Sequence, residues 1–195
     1  MDQDRFKQAI QQIDQINEQD PNTELYKGKD DPKELVYSQR MTDTLEKFVP
    51  QAKESLKIAA RAQHIGRWKV DRQAYSMDRA GYLKWRTDLK KMHADLTVAI
   101  LQKVGYSDEF TTEVSDLIQK KLLKKNDDAQ TLQDVVCLVF LKHYFVEFSQ
   151  KHTEEKLIGI LQKTWAKMSE KGRNAALELD LDITARALIE KALQQ

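Results

Sequence analysis

The chain has 195 residues, with 32 lysines and arginines against 31 aspartates and glutamates, so no global charge draws it to nucleic acid or to an anionic membrane. Its single cysteine, Cys137, excludes an internal disulfide and suits a reducing compartment. Six glycines, three prolines and 32% charged residues leave few turn signals among many helix formers, which predicts an all-α protein.

In chain order, Phe6, Ala9, Ile10, Ile13 and Ile16 form one apolar stripe, which predicts an amphipathic helix from Asp4 to Gln19. The start, MDQDRFKQAI, lacks the basic and apolar runs of a signal peptide, and no apolar stretch approaches the ~18 residues of a membrane span. A cytoplasmic protein with no membrane partner is expected. The segment QDPNTELYKGKDDP carries two of the three prolines and reads as a loop over 20–32. Asp31 and Pro32 then look like an N-cap and first-turn proline of a second helix, with Leu35, Met41, Leu45 and Phe48 as its stripe and Ser38 lying on it.

After Pro50, a third helix is predicted over Gln51 to Ile65, where Leu56, Ile58, Ala59, Ala60, Ala62 and Ile65 leave little polar circumference. A helix apolar nearly all round packs on several neighbours and should be central. Gly66 closes it in a left-handed cap. A long helix follows from Arg79 to Val104, closed by Gly105, and SDEF caps another over Ser107 to Leu123. The segment LQDVVCLVFLKHYFVEF, from Thr131 onward, is too long for a typical strand and reads as a buried helix, with Cys137 as a small core residue. Helices over Thr153 to Met168 and Thr184 to Leu193 complete a single-domain bundle of seven or eight helices.

The charge that is balanced overall is clustered locally. Between Arg61 and His93 there are nine basic residues and three aspartates, Asp71, Asp78 and Asp88. Arg79, Arg86 and His93 recur every seven residues, on one face of a helix. If that face turns towards His64, then Arg61, Arg67, Arg72 and Arg86 would supply planar forks suited to phosphate. The plain alternative is a solvated face with i, i+4 pairs, and tryptophans 68 and 85 as core-edge anchors. Asp134, at the head of the apolar helix, needs a partner to be buried: either the helix dipole or an arginine.

The runs PKELVYSQRM, AARAQHIGRW, YSMDRAGYLKWRTDLKKMHA, QTLQDVVCLVFLKHYFVEF and EEKLIGILQKTWAKMSEKG resemble a family designated domain of unknown function 4202, across nearly the whole chain. The order of elements is also distantly similar to the HD-domain superfamily of metal-dependent phosphohydrolases. That resemblance implies a divalent metal held near a reaction centre, with His64 as the histidine of the His-Asp pair, Asp134 as the distant aspartate and His93 as an accessory histidine. Ile65 stands where the pair's aspartate would be, and Ser38, Gln39 and Arg40 offer no histidine. The arginines would repel a cation unless an anion arrived with it. The expected function is therefore HD-like: binding a phosphorylated small molecule or nucleotide, and hydrolysing it at a reworked site with His64, His93 and Asp134 as catalytic and metal-binding residues. The alternatives are a non-catalytic nucleotide- or RNA-binding module with a tryptophan stacked on a base, and a helical protein-interaction domain.

Overall fold

The computed structural model describes residues 2–121, 123 and 125–194. Ten α-helices and one two-stranded sheet are present among them, so the chain is mostly helical as its composition demands. The chain packs as two compact units, Met1–Leu122 and Leu123–Gln195. Among the described residues, no helix is long and apolar enough to cross a membrane.

The first unit opens with helix α1 (Asp2–Asn17), whose Ala9 and Ile13 are fully buried. The segment expected as a loop folds into a hairpin instead, β1 (Thr23–Tyr26) against β2 (Lys29–Pro32), paired Tyr26 to Lys29. A two-residue turn of that kind needs positive φ at both central positions, and Lys27 (φ 50) and Gly28 (φ 86) provide it. The charged tip hides this strand signal, because only Thr23 and Tyr26 are strand-favouring and the apolar Leu25 is exposed.

Helix α2 (Lys33–Phe48) begins after Pro32, which is its N-cap and gives no side-chain cap. Its first turn is capped from a distance: the Asp20 carboxylate accepts from the Glu34 backbone N–H at 3.0 Å. Asp31 is not the cap the sequence suggests. The buried face is Glu34, Val36, Tyr37, Ser38, Met41 and Leu45, while Leu35 and Phe48 are half-buried. Ser38 satisfies its hydroxyl by donating to the Leu35 carbonyl at 2.7 Å, which explains a serine on that face.

Helix α3 (Glu54–Arg61) packs on α1, on α2 and on α5 (Asp108–Gln119), and so occupies the centre of the unit. Leu56, Ile58, Ala59, Ala60, Ala62 and Ile65 are at most 1% exposed. Burying each large aliphatic among them contributes roughly 1.5–3 kcal/mol. The chain leaves α3 through a tight turn and Gly66, whose φ of 65 is the left-handed cap expected from the sequence. Asp78 caps α4 (Arg79–Lys103) by accepting from the Gly81 N–H at 2.7 Å, and Ser107 caps α5. Helix α5 stops at Gln119, before the expected end, because Lys120 turns left-handed (φ 58); Leu122 lies outside the described residues.

In the second unit, α6 (Asp127–Val139) starts with an Asn126 cap and runs into a π-helical turn at Phe140–Tyr144 and then α7 (Phe145–Ser149). The apolar segment is thus helical, with Cys137 buried in it. Helices α8 (Glu154–Trp165), α9 (Glu170–Leu177) and α10 (Ile183–Leu193) follow, α9 packing on α6 and α10 on α8. Helix α9 has too weak an apolar stripe to stand out in the sequence, with only Gly172 and Ala176 buried.

Candidate functional site

The turn after α3 delivers two side chains to the start of α2. Asn17, fully buried at the end of α1, accepts from the Gly66 N–H at 3.2 Å. The buried ring of His93, on α4, meets the Ile65 carbonyl at 2.7 Å through Nδ1, which must therefore carry the proton. The backbone between His64 and Arg67 is thereby fixed from two other helices.

His64, Arg67 and Glu34 form a closed ring of contacts. His64 Nδ1 lies 3.3 Å from Glu34 Oε2, Arg67 Nη1 lies 3.3 Å from His64 Nε2, and Arg67 Nε lies 3.7 Å from Glu34 Oε1. A neutral His64 protonated on Nδ1 satisfies both of its contacts, giving a proton towards Glu34 and accepting one from Arg67. The imidazole stacks on Tyr37, with centroids 3.9 Å apart and planes 10° apart, and its centroid is 5.9 Å from that of His93. The Arg67 guanidinium lies 4.9 Å from the centre of the Trp85 ring, and Trp85 is itself fixed by donating Nε1–H to the Val70 carbonyl at 3.0 Å.

The electrostatics follow from burial. Glu34 has a side chain only 9% exposed, and burial raises its pKa from 4.5 to about 7, with Asp20 adding to the rise and Arg67 opposing it. Burial, then the charges of Arg67, Lys120, Arg86 and Lys33, hold His64 well below the ordinary histidine range, so the ring is neutral. His93 is lowered to about 3 by burial and then by His64. Glu34 Oε2 is buried and makes no hydrogen bond of good geometry, its neighbour being the His64 nitrogen. Arg67, by contrast, is half-buried, with 32% of its side chain exposed. The site therefore combines a neutral imidazole, a carboxyl that titrates near neutrality and a half-buried arginine, which is a set suited to anion binding and proton transfer.

The other residues singled out in the sequence have separate places. Arg61 makes a two-pronged pair with Asp14, both bonds at 2.7 Å, and a third bond to Thr42 at 3.3 Å. Its fork is spent inside the unit and is not offered to phosphate. Arg72 braces its own loop, donating to the Tyr75 carbonyl at 3.2 Å and the Asp78 carbonyl at 3.4 Å. Arg86 is exposed and donates to the Tyr82 hydroxyl at 3.2 Å. Asp134 belongs to the second unit, where its carboxylate accepts from the Ser169 N–H (2.9 Å), the Ser169 hydroxyl (2.5 Å) and Gln130 Nε2 (3.0 Å). It backs the residue that caps α9, and neither the dipole of its own helix nor an arginine is its recorded partner.

The donor set His64, His93 and Asp134 does not fit a metal. Every Asp134 oxygen accepts a hydrogen bond, and both His64 nitrogens face Glu34 or Arg67. Among the described residues, no group of three or more His, Cys, Asp or Glu side chains is placed to hold a metal ion.

The quoted runs that carry the resemblance extend from α2 to α9, through both units. A family model described as Domain of unknown function (DUF4202) matches residues 7–189. The chain belongs to this family. No curated protein matches it, and no solved structure matches it.

The DUF4202 match thus spans the whole of the ring. Of its members, His64 and Arg67 stand out in the sequence as a basic and aromatic cluster, whereas Glu34 does not. Glu34, Ser38, Met41 and Leu45 sit at i, i+4, i+7 and i+11, so an acid placed on the buried stripe of a helix is the signal that marks it.

Proposed function

We propose that this protein binds a small phosphorylated ligand at the ring formed by Glu34, His64 and Arg67, and that hydrolysis of a phosphate ester is the enzymatic form of this role. The observation that carries the reading is Arg67 itself: its guanidinium reaches both a carboxylate and an imidazole, on a side chain that is still 32% exposed. A phosphate dianion arriving there takes over the fork from Glu34, and Arg86, Lys33 and Lys120 add positive potential around the imidazole.

In hydrolysis, a water oxygen forms the new bond to phosphorus while the ester oxygen leaves. As the phosphate draws Arg67 away from His64, the Nε2 of the neutral imidazole is freed to accept the water's proton, and protonated Glu34 supplies one to the leaving oxygen. The distant HD-like resemblance supports this reading through the position of His64 at the close of a central helix, with Glu34 taking the acidic part that Ile65 cannot play. No step is routed through a metal. A cytoplasmic setting, with its reduced thiols, suits the buried single cysteine.

Calorimetric titration with inorganic phosphate and pyrophosphate, together with turnover of a chromogenic phosphate monoester, tests the proposal. Binding should weaken about tenfold or more in Arg67→Ala. Binding that is absent from the native protein, or indifferent to Arg67→Ala, sinks the reading; binding without turnover removes only the hydrolytic form.

A further inference from the structure

Near Trp85, which carries Arg67 on its ring, lies an exposed aromatic side chain. Tyr82, on the first turn of α4, is 42% exposed and is the only Phe, Tyr or Trp in the exposed class among the described residues. The Arg72 and Arg86 guanidiniums lie 6.0 and 5.9 Å from its centroid, and Arg86 also donates to its hydroxyl at 3.2 Å, so two cations stand within reach of a flat guest on this ring. Arg72 is held in that position by two loop carbonyls, so it is a placed cation and not a loose one.

Tyr82 also connects to the ring. It tilts against Trp85 at 6.0 Å, and the Arg67 guanidinium lies 4.9 Å from the Trp85 ring. A mononucleotide carries an aromatic base at one end and a phosphate at the other, the two chemistries that Tyr82 and Arg67 offer. The tryptophans are poorer platforms because both are half-buried, and Trp85 has the Arg67 guanidinium 4.9 Å from its ring centre.

We propose that the phosphorylated ligand is a nucleoside monophosphate, its base stacked on Tyr82 within reach of Arg72 and Arg86 and its phosphate taken by Arg67. This rests on the phosphate-binding role of the ring and adds the class of the group attached to the phosphate. Base stacking tolerates any base, so Tyr82 sets a preference for nucleotides over sugar phosphates without selecting one base.

The test compares four nucleoside 5′-monophosphates with ribose 5-phosphate by calorimetry, on the native chain and on Tyr82→Ala, Tyr82→Phe and Arg67→Ala. The expected result is that at least one nucleotide binds about tenfold or more tightly than ribose 5-phosphate. Tyr82→Ala should erase that advantage and leave ribose 5-phosphate unchanged, Tyr82→Phe should keep it, and Arg67→Ala should weaken both compounds. Equal affinity of nucleotide and sugar phosphate in the native chain overturns the nucleotide assignment while phosphate binding stands. Loss of both affinities in Tyr82→Ala also overturns it, by making Tyr82 a structural residue. If neither compound binds, the phosphate reading falls with it. A short unphosphorylated oligoribonucleotide that binds where the mononucleotides do not overturns the assignment in favour of RNA.

Discussion

The ring of His93 reaches across from α4 to the carbonyl of Ile65, 2.7 Å from its Nδ1, and so ties the longest helix of the first unit to the turn that carries His64. His93 is 2% exposed, and Thr97 in turn donates to its backbone carbonyl at 2.7 Å. Replacing it by alanine leaves a cavity and an unpaired carbonyl, at a cost of roughly 2–4 kcal/mol. Urea unfolding at neutral pH measures this; a loss below about 0.5 kcal/mol would show that the tie contributes nothing.

The same histidine shapes the acid limb of stability. Its folded pKa, about 3, is below its ordinary 6.5, so between those values the unfolded chain binds the extra proton. Its contribution is present above pH 6.5 and is lost as pH falls towards 3, on the order of 5 kcal/mol in full. His93→Leu should therefore be less steeply destabilised by acid than the native chain. Parallel curves of unfolding free energy against pH would contradict this.

Glu34 acts in the opposite direction. Its folded pKa, about 7, lies above 4.5, so the folded state holds the extra proton in that window. The associated stability is full below pH 4.5 and is lost as pH rises through 7, by about 3 kcal/mol. Glu34→Gln keeps the shape and removes the titration. Relative to the native chain, the variant should gain stability between about pH 5 and pH 8, which chemical denaturation across that range will read directly. A relative stability that is flat over the range would place the Glu34 carboxyl in an environment like water.

Arg61 and Asp14 join α3 to α1 through two bonds of 2.7 Å, with side chains 11% and 21% exposed. Such a pair is costly to break from one side, so Arg61→Ala should destabilise the protein by roughly 2–4 kcal/mol. Where it still folds, its affinity for phosphate should equal that of the native chain. Selective loss of phosphate affinity at unchanged stability would return Arg61 to the site.

In the second unit, Gly172 and Asp134 share one space. A Cβ at position 172 would stand 2.6 Å from Asp134 Cγ, so Gly172→Ala displaces the carboxylate that backs Ser169. Both Gly172→Ala and Asp134→Ala should loosen α9, each costing about 2–3 kcal/mol, and the double variant should cost less than the sum. Thermal melts followed by circular dichroism report the singles and the cycle; strict additivity would show that the two positions act separately.

Much of the fold is written in local patterns. The stripe Phe6 to Ile16, the caps at Asp78 and Ser107 and the left-handed Gly66 all depend on neighbours within a turn or two, and each is found where those neighbours put it. The hairpin escapes because its strands are four residues long and half of their residues are charged, and α9 because its buried residues are a glycine and an alanine. At the site, His64 is legible as an anomaly of type, but its partner is not. Glu34 looks like an ordinary first-turn acid until the cap from Asp20 and the packing of Tyr37 on His64 show that it faces inward. Arg61 and Asp134 mislead for the same reason: the need for a partner can be read from sequence, whereas the partners, Asp14 and Ser169, are 47 and 35 residues away.

The hairpin between α1 and α2 is stitched at its base. Asp20 holds the Asn22 N–H at 2.9 Å and the Glu34 N–H at 3.0 Å, and the Lys33 N–H donates to the Asn22 carbonyl at 2.9 Å. The chain consequently leaves and re-enters by one doorway, and Glu34 takes its bearing from that doorway and not from the length of the excursion. Residues could be inserted at the tip around Gly28 for a small closure entropy, which makes this the natural place to graft a tag or reporter without moving the carboxyl that faces His64.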